Sequence, residues 1–214
     1  MLFEPDRTTL SELGREMVEK GLTRGVGGNL SQRGDEEHVA ITPSGIPYDE
    51  IDPADVPVVT TEGEHVEGDL TPSTETPMHT MIYRQRPDVG GIVHTHSPYA
   101  TTFASLGRAV PASHYLVSYV GPEIPVTGYE QPGTEALGRE ATEALGEDYN
   151  ACLLRNHGVV AVGADADDAL ETAQMVEFCA RIHYQAVSIG DPSILDEEYI
   201  DELIEDIAEY RQIA

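Results

Sequence analysis

The run Gly91-Ile92-Val93-His94-Thr95-His96-Ser97-Pro98 constrains this chain more than any other stretch. An apolar segment of strand length ends in two histidines two residues apart, and Ser-Pro then opens a new element. Alternate residues of a strand share a face. Both imidazoles are therefore expected on one side, above a strand whose lower part is buried. The pair suits a shared metal ion, although polar residues closing a strand show the same pattern. Further ligands, an acid–base group and a place for substrate must decide between the two.

Elsewhere the pattern alternates between helix and strand periods. Leu10, Leu13, Met17 and Val18 mark a helix over 6–20, stopped by Gly21. Gly25-Val26-Gly27-Gly28-Asn29-Leu30-Ser31 is a glycine-rich loop entering a strand. It lacks the Gly-Lys-Ser/Thr of a P-loop, and Leu30 stands where a dinucleotide fingerprint has its third glycine. It reads as a tight turn, or as a nest of backbone N–H groups with the Asn29 amide, suited to an anion. A short strand over 37–41 leads into Thr42-Pro43-Ser44-Gly45-Ile46-Pro47, a structured turn with hydroxyl donors. Val58–Thr61 reads as a strand and Glu67-Gly68-Asp69 as a loop. Ser73 is expected to cap a helix running through Pro77, Met81 and Ile82 to about Arg86. That puts Glu75 in a first turn, where a carboxylate is as often a dipole partner as a catalytic group.

Pro98 begins a helix to Leu106. Val110 to Val120, containing His114 and Tyr115, reads as strand-like, and 133–146 as a helix. Two buried strands, Ala151 to Arg155 and Val159 to Val162, flank the turn Asn156-His157-Gly158. Asp165 or Asp167 caps a long helix, and a last acidic helix ends at Tyr210. Strands interleaved with helices predict one α/β layered domain over 1–214.

Composition excludes several classes of function. Thirty-nine acids against 12 bases give a formal net charge of −27, spread along the chain and not gathered in a tail. Such a surface disfavours nucleic acid and anionic membranes, and it suits a high-salt cytoplasm where self-repulsion is screened. No long apolar run spans a membrane, and the acidic start does not resemble a signal peptide, so a cytoplasmic location is expected. Cys152 and Cys179 sit in apolar surroundings without ligand spacing and read as free core residues. The single lysine, Lys20, lies at the polar end of an amphipathic helix. It is a poor Schiff-base candidate, so carbonyl chemistry here requires a metal.

His157, in a tight turn between apolar strands, is the natural third partner of His94 and His96. Three neutral imidazoles recur as a zinc ligand set with an open position, and Glu75 is available as a fourth ligand or as the base. His38 and His65 read as surface residues, His79 as a supporting or packed residue, and His183 as a core or interface residue.

These segments together resemble the class II aldolase/adducin-head family. The resemblance is carried by Gly21-Leu22-Thr23, Gly28-Asn29-Leu30-Ser31, Ile41-Thr42-Pro43-Ser44-Gly45-Ile46-Pro47-Tyr48, Ser73-Thr74-Glu75, Arg86-Pro87-Asp88, His94-Thr95-His96 and Asn156-His157-Gly158. They fall in the family's order and cover essentially the whole chain. The resemblance implies a three-layer αβα sandwich with a central, mostly antiparallel sheet, and one Zn²⁺ per subunit on His94, His96 and His157. It implies that Glu75 handles the proton on a ketose phosphate and can also ligate the metal. Gly28, Asn29, Ser44, Gly45, Ser73 and Thr74 would hold the phosphate, with Val26 replacing a threonine common in relatives. Tyr115 would protonate the aldehyde oxygen from a neighbouring subunit of a homotetramer, with Tyr210 a looser match to a second tyrosine.

The reaction implied is cleavage of a ketose 1-phosphate, such as L-fuculose 1-phosphate, to dihydroxyacetone phosphate and a short aldehyde such as L-lactaldehyde. Ribulose-5-phosphate 4-epimerases of the family tend to carry Asp at the Glu75 position and before the tyrosine. Glu75 and His114 favour the aldolase. Dehydration of a thio-sugar phosphate on the same scaffold is a third reading. A non-catalytic adducin-like head is expected to lack the three histidines.

Overall fold

The computed structural model describes residues 1–213, with side chains through 207. Strands β1 (Asn29–Arg33), β2 (His38–Ile41), β3 (Val58–Thr60), β4 (His65–Glu67), β5 (Gly91–Thr95), β6 (Ala151–Leu154) and β7 (Gly158–Gly163) form one sheet. Its order is β4-β3-β2-β1-β5-β7-β6, and every neighbouring pair is antiparallel. Helices α1 (Glu4–Glu19), α3 (Pro98–Leu106) and α5 (Ala166–Ile189) cover one face, while α2 (Thr76–Gln85) and α4 (Glu135–Leu145) cover the other. Helix α6 (Glu197–Ile213) follows. The expected αβα sandwich with an antiparallel sheet is what the chain adopts.

The strand period sorts the core. Leu30, Val93, Leu153 and Ala161 pack with α1, α3 and α5, whereas Ile41, Ile92, Cys152 and Val160 pack with α2 and α4. In β5, Ile92 and His94 therefore share the α2 side. Glu75 stands at the N-cap of α2, and this alternation aims the His94 imidazole at that end of it. Both cysteines are free and buried, and burial pushes both thiols up, Cys179 to about 12.

Three local expectations are corrected. The segment Val110 to Val120 is not a strand: Val110 makes one isolated bridge to Ile124, and Tyr115–Tyr119 is a short 3-10 helix. Pro111 brings no N–H for a ladder, and the His114 ring accepts the Leu116 N–H and so starts a helical turn. The stretch read as a loop at Glu67 closes strand β4. Helix α2 starts at Thr76, not near Ser73. The Ser73 N–H is bound by the Thr42 carbonyl, which holds 73–75 as a turn, and the Ser73 hydroxyl accepts the Glu75 N–H at 3.2 Å. Glu75 is consequently the N-cap residue, yet its side chain makes no cap bond.

Candidate active site

That freed carboxylate points at the histidines. Glu75 Oε2 lies 3.0 Å from His94 Nε2, and Oε1 lies 3.5 Å from His157 Nε2. His94 and His96 bring their Nε2 atoms within 3.0 Å of each other, and donor atoms of His94, His96 and His157 all fall within 4.8 Å. His94 is fully buried and Glu75 nearly so. The three histidines and the acid expected from the sequence are brought together.

The donor set itself fits a cation. His94 Nδ1 lies 2.7 Å from the Val159 carbonyl, an acceptor only, so Nδ1 carries the proton. In the neutral ring, Nε2 then presents a lone pair to a carboxylate oxygen and to a second imidazole nitrogen. Lone pairs converging in a buried space repel unless positive charge sits among them. Three imidazoles with one adjacent carboxylate fit a divalent transition ion. Burial, reinforced by the neighbouring His94 ring, holds His96 down at about 4; burial and the same neighbour hold His157 at about 4. Both rings are thus neutral ligands at ordinary pH. Burial by itself would push the Glu75 carboxyl up, but the adjoining His94 ring, the Asn29 hydrogen bond and the nearby His157 and His79 rings outweigh it. The carboxyl lies below its usual range and is ionised.

Glycines let the loops reach this centre. A Cβ on Gly28, whose φ is +72°, would stand 2.5 Å from the His94 carbonyl, and one on Gly27 would stand 2.9 Å from His96 Nδ1. A Cβ on Gly158 would meet the Thr95 carbonyl at 2.3 Å and both the His96 and His94 rings. The backbone of the glycine loop is therefore one wall of the histidine cluster. Thr23 Oγ1 donates to the Gly27 carbonyl, and Tyr48 Oη donates to the Gly28 carbonyl, each at 2.8 Å. Both residues fall in segments that carry the family resemblance, but neither had a role assigned from sequence.

A cleft of about 210 Å³ opens over the centre, lined by Val26, Gly28, Asn29, Ser44, Gly45, Ser73, Thr74, Glu75, His96 and His157, among others. All six residues expected at the phosphate line it. A larger cleft of about 440 Å³ lies beyond the Ser73–Thr74 loop, but its walls include none of the three clustered histidines and not Glu75. The Asn29 amide is turned inward: Nδ2 donates to Glu75 Oε2 at 3.0 Å, and Oδ1 faces His79 Nε2 at 2.6 Å. Tyr115 is absent from the cleft wall and about half exposed. The Tyr210 side chain lies outside the described residues. Lys20 pairs with Glu16 on α1 and does not line the cleft.

Fold and site together define a metal-dependent enzyme of carbonyl chemistry. Residues 8–184 match the family described as class II aldolase and adducin N-terminal domain, and the chain belongs to that family. It is a class II aldolase. A 5-deoxy-D-ribulose 1-phosphate aldolase of Bacillus thuringiensis serovar kurstaki is 42% identical over 213 residues, covering 99% of this chain and 100% of that protein. A 5-methylthioribulose-1-phosphate/5-deoxyribulose-1-phosphate aldolase of Rhodospirillum rubrum is 37% identical, over 95% and 91% of the two chains. Among solved structures, an L-fuculose 1-phosphate aldolase superposes with a TM-score of 0.92 at 37% identity, covering 95% of this chain and 96% of that one.

Proposed function

We propose that the protein cleaves a ketose 1-phosphate to dihydroxyacetone phosphate and a short aldehyde, using Zn²⁺ held by His94, His96 and His157 with Glu75 beside it. The observation that carries the reading is the buried Glu75 carboxylate. One of its oxygens is hydrogen-bonded, and the other has no hydrogen-bond partner among the described residues while facing the histidine cluster. That free oxygen suits a base for a carbon acid. What a divalent ion supplies when bound there is positive charge beside the enediolate oxygens.

In the cleavage direction the C4 hydroxyl loses its proton and the C3–C4 bond breaks. The electron pair stays on C3, and that carbon takes a proton through Glu75, which first draws it from solvent because its carboxyl is ionised at rest. Tyr115 exchanges the hydroxyl proton, acting from a neighbouring subunit. Its exposure supports that arrangement, as do the exposed apolar side chains Phe178, Tyr184, Val187, Ile189, Ile194 and Tyr199 on α5, α6 and the segment joining them. A homotetramer with its sites at subunit interfaces covers both. The phosphate is held without a cation, by N–H and hydroxyl donors of the loops at Gly28-Asn29, Ser44-Gly45 and Ser73-Thr74.

The tail beyond C4 distinguishes the substrates of the similar enzymes. A 5-deoxyribulose 1-phosphate gives a two-carbon aldehyde, whereas L-fuculose 1-phosphate gives lactaldehyde. The identity to the Bacillus enzyme over the full length of both chains supports a deoxypentulose 1-phosphate alongside the L-fuculose-like substrate. The test is an assay of both phosphates at molar salt, following aldehyde release and epimer formation. Aldehyde release that a chelator abolishes and Zn²⁺ restores is expected. Epimer without aldehyde, or activity indifferent to the chelator, overturns the reading.

A further inference from the structure

His79 is fully buried on α2, lines neither cleft described above, and takes no part in the chemistry proposed for Glu75. Its two ring nitrogens are nonetheless both engaged at 2.6 Å, Nδ1 with Ser31 Oγ and Nε2 with Asn29 Oδ1. The direction of every bond in this chain is fixed from its end. The Glu75 carboxylate can only accept, so Asn29 must turn its NH₂ group to Oε2 and its carbonyl oxygen to His79. A carbonyl oxygen also only accepts, so His79 Nε2 must carry the proton. Burial holds this imidazole down at about 3, so it is neutral and Nδ1 is a lone pair. Ser31 must then donate to Nδ1, and its oxygen lies 2.9 Å from Tyr83 Oη, whose one proton is shared between Ser31 and the Gly90 carbonyl.

We propose that His79 is a positioning residue for Glu75, acting through Asn29. One tautomer of a buried histidine sets the Asn29 amide, and the amide pins Oε2 while Oε1 is left for the substrate carbon. This rests on the reading of Glu75 as the proton-transfer group. A buried chain with a single consistent polarity holds its terminal atom far more tightly than a bond exchanged with water, because each flip strands a buried donor or acceptor. Side chains that orient an active group in this way change activity by about 10- to 100-fold when removed.

The test exploits which nitrogen matters. Gln at 79 places an N–H near the histidine Nε2 position and can still donate to Asn29, whereas Asn, one carbon shorter, reaches only toward Ser31. His79→Leu and His79→Asn are expected to lose kcat by about 10- to 100-fold, with zinc content and KM for the ketose phosphate little changed. His79→Gln is expected to recover most of kcat. A purely structural role predicts no difference between Gln and Asn at equal thermal stability, and that result overturns the proposal, as does normal kcat in His79→Leu. Should the Leu and Asn variants fail to fold, Ser31→Ala decides. It frees the tautomer, a fall in kcat of about tenfold at unchanged zinc content is expected, and an unchanged kcat overturns the proposal. Glu75→Gln is the control that separates the two readings. Retained proton exchange in Glu75→Gln removes Glu75 as the base, whereas its loss together with normal His79→Leu removes only the role of His79.

Discussion

Glycine at 158 and histidine at 94 are one feature seen from two sides. Any side chain at 158 would occupy the space of the Thr95 carbonyl and of the rings it faces. Gly158→Ala is expected to cost about 1–3 kcal/mol through overpacking. At about 2–4 °C per kcal/mol for a chain of this size, the metal-free protein should melt several degrees lower. Zinc affinity, measured by competition with a chelator, should fall with it, and an unchanged melting point contradicts the packing account. The histidines also set a pH dependence. His96 and His157 at about 4 and His79 at about 3 lie below the ordinary value near 6.5. Between those values the unfolded chain binds more protons than the folded one, so stability rises with pH. The contribution is complete above about pH 6.5 and is lost as pH falls toward 4. Thermal melts of the metal-free protein should stay level from about pH 7.5 to about 6.5 and decline from there to about pH 5, and a flat profile over the whole range would contradict it.

Among the elements, the first glycine loop and the start of α2 show what pattern reveals and what it hides. The loop was legible as a glycine-rich turn before a strand, because glycine and the switch to alternating residues are local signals. Its approach to the histidine strand was not, since the pairing of Asn29 with His94 joins residues far apart in sequence. Glu75 shows the same limit. Its neighbours suggest a helix cap, but Ser73 is tied to the Thr42 carbonyl and accepts the Glu75 N–H, the helix starts at Thr76, and the Glu75 carboxylate makes no cap bond. Within the loop, Val26 lines the cleft and is half exposed, offering no hydroxyl. Val26→Thr adds one donor toward the phosphate. If it bonds at about 0.5–1.5 kcal/mol, KM for the ketose phosphate should fall about 2- to 10-fold. Steady-state kinetics checks this, and an unchanged KM places the phosphate elsewhere.

The whole molecule carries its charge unevenly between inside and outside. Arg7 is buried, donating to the Pro53 and Ala54 carbonyls and pairing with Glu67 at 2.6 Å. Arg33 likewise donates to the carbonyls of Val89, Tyr83 and Arg86, where α2 ends. With 39 acids against 12 bases, most surface acids have no base to pair with, and a chain at −27 repels itself. Raising salt from 0.1 M to 1 M shortens the screening length from about 10 Å to about 3 Å. The melting temperature should rise on the order of 10 °C over that range. Differential scanning in KCl tests this. A fall or no change would leave the acidic surface to another purpose.

Sequence alone determined an α/β layered domain from its periodicity, and its dense set of short motifs carried the family resemblance that implied the sandwich and the three histidines with Glu75, although the stretch at 110–120 and strand β4 escaped it. It also disposed of a lysine mechanism, for the one lysine lies on the polar end of α1. Tertiary structure decided what those residues do to one another. Antiparallel pairing of β1 and β5 set Asn29 beside His94, and a displaced helix start gave Glu75 to the site. A buried tautomer chain from Tyr83 through Ser31 and His79 reached the same carboxylate. Hydrogen-bond direction across distant segments has no sequence period, so it appears only when the segments are folded together.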